Sequence, residues 1–145
     1  HLNVMRRYQY LTQAMVELED GRPDTVQLTL APLEPYVQNC ARIIDGIHLN
    51  VLTAIALYRK KDERWRERLT AALDAAAEYR FIRTVSVYGT AVLPLLAAKM
   101  APGGVVLCET EREADLPEKA GSLTLVKQYN YGKIKVSRYE RGEEA

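Results

Sequence analysis

The stretch MAPGGVVLCETEREADLPEKAGSLTLVKQYNYGKIKVSRY, residues 100–139, cannot continue the helices that precede it. Pro102-Gly103-Gly104 stops a helix, because proline removes an amide donor and glycine gives up helix propensity. Val105 to Glu109 is then a short apolar run of the kind buried in a sheet. Thr110 to Ala120 is charged and contains Pro117, which reads as a loop. Leu123, Leu125, Lys127 and Tyr129 alternate with their neighbours, Asn130-Tyr131-Gly132 supplies a turn, and Ile134, Val136 and Tyr139 lie on a return strand. The stretch therefore predicts a strand followed by a β-hairpin. The return strand sits in the middle, with Val105–Glu109 and Leu123–Asn130 on either side. The outer edge of the first strand is left open, a template for another chain.

Upstream the period changes. Apolar residues recur at three and four in helices near residues 3–19 (Tyr8, Leu11, Met15, Leu18), 41–60 (Ile44, Ile47, Val51, Ile55, Tyr58) and 62–79 (Trp65, Leu69, Leu73, Ala76, Tyr79). Between the first two lies a helix opened by Asp24 or Thr25 as N-cap, kinked or split by Pro32 and Pro35. Asp62 is the predicted N-cap of the helix that follows it, and a further helix is expected over residues 85–100, weakened by Gly89 and Pro94. Ala14 and Leu18 match Ala54 and Tyr58 at an offset of 40; Val26, Leu30 and Leu33 match Trp65, Leu69 and Ala72 at an offset of 39. A period of this size is the mark of an α-solenoid, and two helix pairs fall below the three or so repeats such an array needs alone. The predicted class is α+β: antiparallel helical hairpins over residues 1–100, then a small three-stranded sheet ending in a β-hairpin over residues 101–145. Tyr8, Met15, Leu18, Leu30, Leu33, Ile44, Ile47, Val51, Ile55, Leu69 and Leu73 are the expected core of the first part.

Composition bounds the function. The chain has 145 residues, 48% of them hydrophobic and 27% charged, with a net charge of +1, as expected of a folded soluble domain. There are 12 basic and 11 acidic residues before Val92 and 8 of each from there on, so neither part has the one-sided charge of a dedicated nucleic-acid binder. Cys40 and Cys108 have no metal-ligand spacing and sit in apolar surroundings, predicting reduced, buried thiols in a cytoplasmic protein. No apolar run is long enough to cross a bilayer as a helix, no signal peptide is visible, and His1 reads as a tag remnant.

Two resemblances follow from these residues. Ala54, Leu57, Leu69, Ala72, Leu73 and Ala76, then Glu78-Tyr79-Arg80-Phe81-Ile82-Arg83, Gly89 and Leu95-Leu96, resemble the tetratricopeptide-like (TPR-like) sensor region of LuxR-type, MalT-like transcriptional activators. The residues before them are similar to the preceding repeat. The chain departs from that pattern at Arg80, where the family favours glycine, and at Trp65, where a small residue is usual. Residues 94–141, with the LPEK of 116–119 and YNYGKIKVSRY of 129–139, resemble the last strands of bacterial 16S rRNA guanine-N2 methyltransferases. The first resemblance implies a regulatory or binding module that is not itself catalytic. The alternatives are the end of an S-adenosylmethionine-dependent methyltransferase, or a chimera of the two without evolved function. No G-x-x-x-x-G-K-[ST] loop, helix-turn-helix, glycine-rich cofactor loop or Pro-Pro catalytic motif occurs in these residues, so no catalytic, cofactor or metal residue is assigned.

The candidate site is a groove for an effector or partner formed by Tyr58, Trp65 and Tyr79, weighed against ordinary packing between helices. His48 reads as a structural histidine, the basic run Lys60, Lys61, Arg64, Arg66, Arg68 as a solvated helix face, and Glu109, Glu111, Glu113, Asp115 as a solvent loop. Contact of Lys127, Lys133 and Lys135 with RNA phosphates is the lesser of the readings open for the hairpin. The expected partners are a protein or a second copy of the chain, and a small-molecule effector; direct DNA binding and a membrane are not expected.

Overall fold

A computed structural model describes residues 4–142. It divides into two compact units after Val87, whereas the sequence pattern changes near residue 100. The fold is α+β.

The first unit contains α1 (Val4–Glu19), α2 (Pro23–Leu30), α3 (Leu33–Asn39), α4 (Ile43–Arg59), α5 (Trp65–Glu78) and α6 (Ile82–Ser86). Every residue from Val51 to Leu57 is buried, so the middle of α4 is enclosed on all sides and forms the axis of the unit. The other five helices pack on it, with α1 also against α2 and α5 against α6. The proline-rich segment splits where expected: α2 ends at Leu30 and α3 begins at Leu33, after Pro32. Pro23 occupies the first turn of α2, so its N-cap is Arg22 rather than Asp24 or Thr25. Asp62 accepts from the Arg64 amide at 3.0 Å in the turn before α5, two residues ahead of the N-cap position at Arg64. The Arg64 guanidinium, and after it that amide bond, hold its carboxyl down at about 2.

Four of these helices stop in one way. Gly21, Ala41, Lys61 and Arg80 take left-handed backbones, with φ of +70°, +48°, +59° and +58°. The next amide returns to a carbonyl five residues back: Arg22 to Glu17 at 2.8 Å, Arg42 to Val37 at 3.3 Å, Asp62 to Leu57 at 2.9 Å and Phe81 to Ala76 at 2.8 Å. The four positions fall 20, 20 and 19 residues apart, so the backbone repeats the 39–40-residue period of the side chains. Only the first is glycine. Arg80→Gly is expected to stabilise the unit by about 1 kcal/mol, since a Cβ is penalised in this conformation. Thermal melts check it, and an unchanged or lower melting temperature would count against the geometry.

The second unit begins with a short 3-10 turn (Gly89–Ala91) and α7 (Leu93–Lys99). The single helix expected over residues 85–100 is therefore broken: Gly89 sits at φ +50° and Pro94 opens α7. The sheet has four strands rather than three: β1 (Val105–Glu111), β2 (Lys119–Ala120), β3 (Leu123–Tyr131) and β4 (Ile134–Arg141), in the order β1-β4-β3-β2. The extra strand is two residues of the segment read as loop, paired to Thr124 and Leu123. The central return strand is as expected: β4 pairs antiparallel with β1 (Val106 opposite Tyr139) and with β3 (Leu125 opposite Tyr139). A bulge between Leu125 and Lys127 shifts the register of β3. One face is covered by α7, whose Leu93 and Ala97 pack on Ala120, Leu123 and Tyr139.

Candidate functional site

Four of the expected core residues are not buried: Met15 and Leu73 are only half-buried, and Tyr8 and Ile44 are exposed. Tyr8 is 55% exposed and Ile44 46% exposed, although both lie on apolar stripes. The physical reason is a cavity of about 610 Å³ in the first unit, which both line. One wall comes from α1, with Arg7, Tyr8, Leu11 and Met15. The turn into α4 and its first residues supply Arg42, Ile43, Ile44, Asp45 and His48, and the turn after α5 supplies Tyr79 and Phe81. The left-handed residues Ala41 and Arg80 turn the chain immediately before Arg42 and Phe81.

The polar centre of this cavity is buried. Asp45, in the first turn of α4, lies 3.5 Å from Arg7 Nη1 and accepts from Arg42 Nε at 3.1 Å. The side chains of Arg7 and Asp45 are 10% and 8% exposed, whereas that of Arg42 is 41% exposed. Arg7 Nη2 donates to the Tyr8 hydroxyl at 2.7 Å and its guanidinium lies 4.5 Å from the Tyr8 ring centroid. Among the described residues, buried Arg7 Nε and Nη1 make no hydrogen bond, and Nη1 meets Asp45 only as the ion pair. The Tyr8 hydroxyl, with Tyr36 and Asp45 behind it, outweighs burial and raises the Arg7 pKa above its ordinary value. Burial pushes the neighbouring His48 down, only partly opposed by Asp45, so its imidazole is neutral at pH 7. Tyr79 stacks on Phe81, with ring centroids 6.2 Å apart and planes 12° from parallel.

The sequence-predicted groove residues separate. Tyr58 and Trp65 meet edge to face at 5.4 Å, and Trp65 is 3% exposed, so this pair packs at the α4–α5 junction. Tyr79 contacts Phe81 instead and lines the cavity. Arg7, Arg42 and Asp45 were not singled out; an acidic residue between Ile44 and Ile47 on an apolar stripe was the available signal.

The remaining candidates fall to plainer roles. Lys60 pairs with Asp24, Arg64 with Asp62, Arg66 with Glu63 and Arg68 with Glu34, at 3.1, 2.6, 2.7 and 2.7 Å, as expected of a solvated helix face. Among the described residues no group of three or more His, Cys, Asp or Glu side chains is placed to hold a metal ion. Lys127 lies 5.0 Å from the Tyr129 ring centroid, and Lys135 Nζ donates to the Ala114 carbonyl. Cys40 is exposed rather than buried, because it caps the end of α3; Cys108 is half-buried and burial pushes its thiol up, away from the reactive thiolate. Among the described residues no helix is long and apolar enough to cross a membrane.

No protein-family model, no curated protein and no solved structure matches the chain.

Proposed function

We propose that the helical unit is a non-catalytic sensor module, an excerpt of a TPR-like array from a LuxR-type transcriptional regulator, which takes a small effector. The observation that carries this reading is the 610 Å³ cavity, within the usual size range of ligand sites and lined by apolar side chains around a few convergent charges. The recurrence of left-handed residues at 21, 41, 61 and 80 supports the repeat. Full-chain thermal melts against a small-molecule collection test it. A concentration-dependent rise in melting temperature is expected for some members, lost in Thr12→Trp, which fills the cavity from an exposed position. A parallel titration with S-adenosylmethionine should show no heat; micromolar binding would replace the sensor reading with the methyltransferase alternative.

The strand unit supports a second role, self-association. Among the described residues β1 has a strand on one side only. Val105 and Leu107 on it are 45% and 66% exposed. Their opposites Glu140 and Arg138 put them on one face with Ile134, 42% exposed, and Tyr131, 65% exposed. An apolar edge of this kind templates a second copy. Light scattering at micromolar concentration should give a dimer or larger, reverting toward monomer in Leu107→Lys. A strict monomer would remove the proposal.

A further inference from the structure

We propose that the cavity of the helical unit is a site for a monoanionic ligand with a flat apolar body, an aryl or polycyclic carboxylate, with Arg7 and Arg42 reading the carboxylate and the Tyr79–Phe81 stack reading the body.

The charge balance comes first. Arg7 and Arg42 face one carboxylate, Asp45, and the group next to it, His48, is neutral at pH 7. The cluster therefore holds one uncompensated positive charge, and a guanidinium cannot release it by losing a proton. A charge with a side chain 10% exposed is costly unless paired and hydrogen-bonded. Arg7 is only partly so: among the described residues its buried Nε has no hydrogen-bond partner, and Nη1 meets Asp45 only as an ion pair at 3.5 Å. A second carboxylate would complete both the charge and the hydrogen bonds. Arginine suits carboxylates because its planar fork matches their two oxygens.

The apolar half of the argument is independent. Tyr8, Ile44 and Tyr79 are large apolar side chains left 55%, 46% and 46% exposed, and all three line this one cavity. Two of them belong to helix stripes most of whose other members are buried, so the helices present an unfinished core here. Sequence rules that fail at one place in an otherwise consistent fold mark a functional site. The parallel stack of Tyr79 on Phe81 offers a flat face to a ring. The cavity's volume exceeds what water or an inorganic anion needs and suits an organic ligand.

This inference rests on the effector reading, and a matched trio separates the two: 4-biphenylacetate, its amide, and 4-biphenylethylamine, titrated calorimetrically into the full chain. The carboxylate is expected to bind roughly tenfold or more tighter than the amide, as a charge-assisted bond replaces a neutral one. The amine should not bind. In Arg42→Gln, at a side chain exposed enough to tolerate change, the carboxylate's advantage should vanish while circular dichroism stays unchanged. Equal binding of carboxylate and amide, both lost in Thr12→Trp, would overturn the anion class and leave the effector cavity standing. Carboxylate binding that survives Thr12→Trp would overturn both. No binding of any of the three at millimolar concentration overturns the carboxylate class, while the effector reading still answers to its own melts.

Discussion

Leu69→Ala is expected to destabilise the helical unit by about 2–5 kcal/mol, the range for truncating a fully buried leucine. Leu69 is 0% exposed on α5, which packs along α4, whose middle from Val51 to Leu57 is buried on all sides. The loss has two parts. Transfer of the missing methyl groups accounts for roughly 1.5–3 kcal/mol, and the cavity left behind adds the rest. Relaxation should be limited, because the two helices are tightly buried, with Leu52 and Ile55 of α4 and Ala72 of α5 all at 1% exposure or less. Against a total stability of about 5–15 kcal/mol, such a loss should lower the melting temperature on the order of 10 °C or more. Leu28→Ala is the control: Leu28 is 78% exposed, and its truncation should stay within about half a kcal/mol. Urea titration of both variants distinguishes them, and a Leu69→Ala loss as small as the control's would mean that α5 does not pack on α4.

Legibility followed the range of the interactions involved. The split between α2 and α3 was visible because Pro32 acts within one turn. The hairpin was visible because alternation and the Gly132 turn are local, and Gly132 does take φ +59°. The helix stops at Ala41, Lys61 and Arg80 were not, since none is the glycine that such a backbone favours. Two-residue β2 lay inside a charged segment with Pro117, where pairing to Leu123 and Thr124 overrides composition. The candidate site failed for the same reason in sharper form. Periodicity assigns Tyr8 and Ile44 to the core because it knows only which face is apolar. It cannot know that this face opens on a cavity beside the turns at residues 41 and 80. Trp65 and Tyr58 were visible as aromatic, but their mutual edge-to-face packing depends on how α4 and α5 meet. Arg7 and Asp45, 38 positions apart, are joined only by the fold.

Tyr139→Ala is expected to have a still larger effect on the second unit. Tyr139 is the largest fully buried side chain, on the central strand β4 between Val106 and Leu125. Its hydroxyl donates to the Pro117 carbonyl at 2.5 Å, tying down the segment before β2. Truncating a buried aromatic costs about 3–5 kcal/mol. The core that absorbs this loss is small: Leu93, Ala97, Ala120 and Leu123 are its only other buried members among the described residues, two of them alanines. A unit of this size is marginally stable to begin with, so the substitution should unfold the sheet outright rather than weaken it. Tyr139→Phe separates the two contributions, because it keeps the ring and loses only the bond to Pro117, about 0.5–1.5 kcal/mol. Hydrogen exchange on the full chain reads both. In Tyr139→Ala the amides of β1, β3 and β4 should lose protection while those of α4 keep it; in Tyr139→Phe the strands should stay protected. Strand amides that remain protected in Tyr139→Ala would show that the sheet is held by its backbone ladder and its α7 contacts, with the Tyr139 ring dispensable.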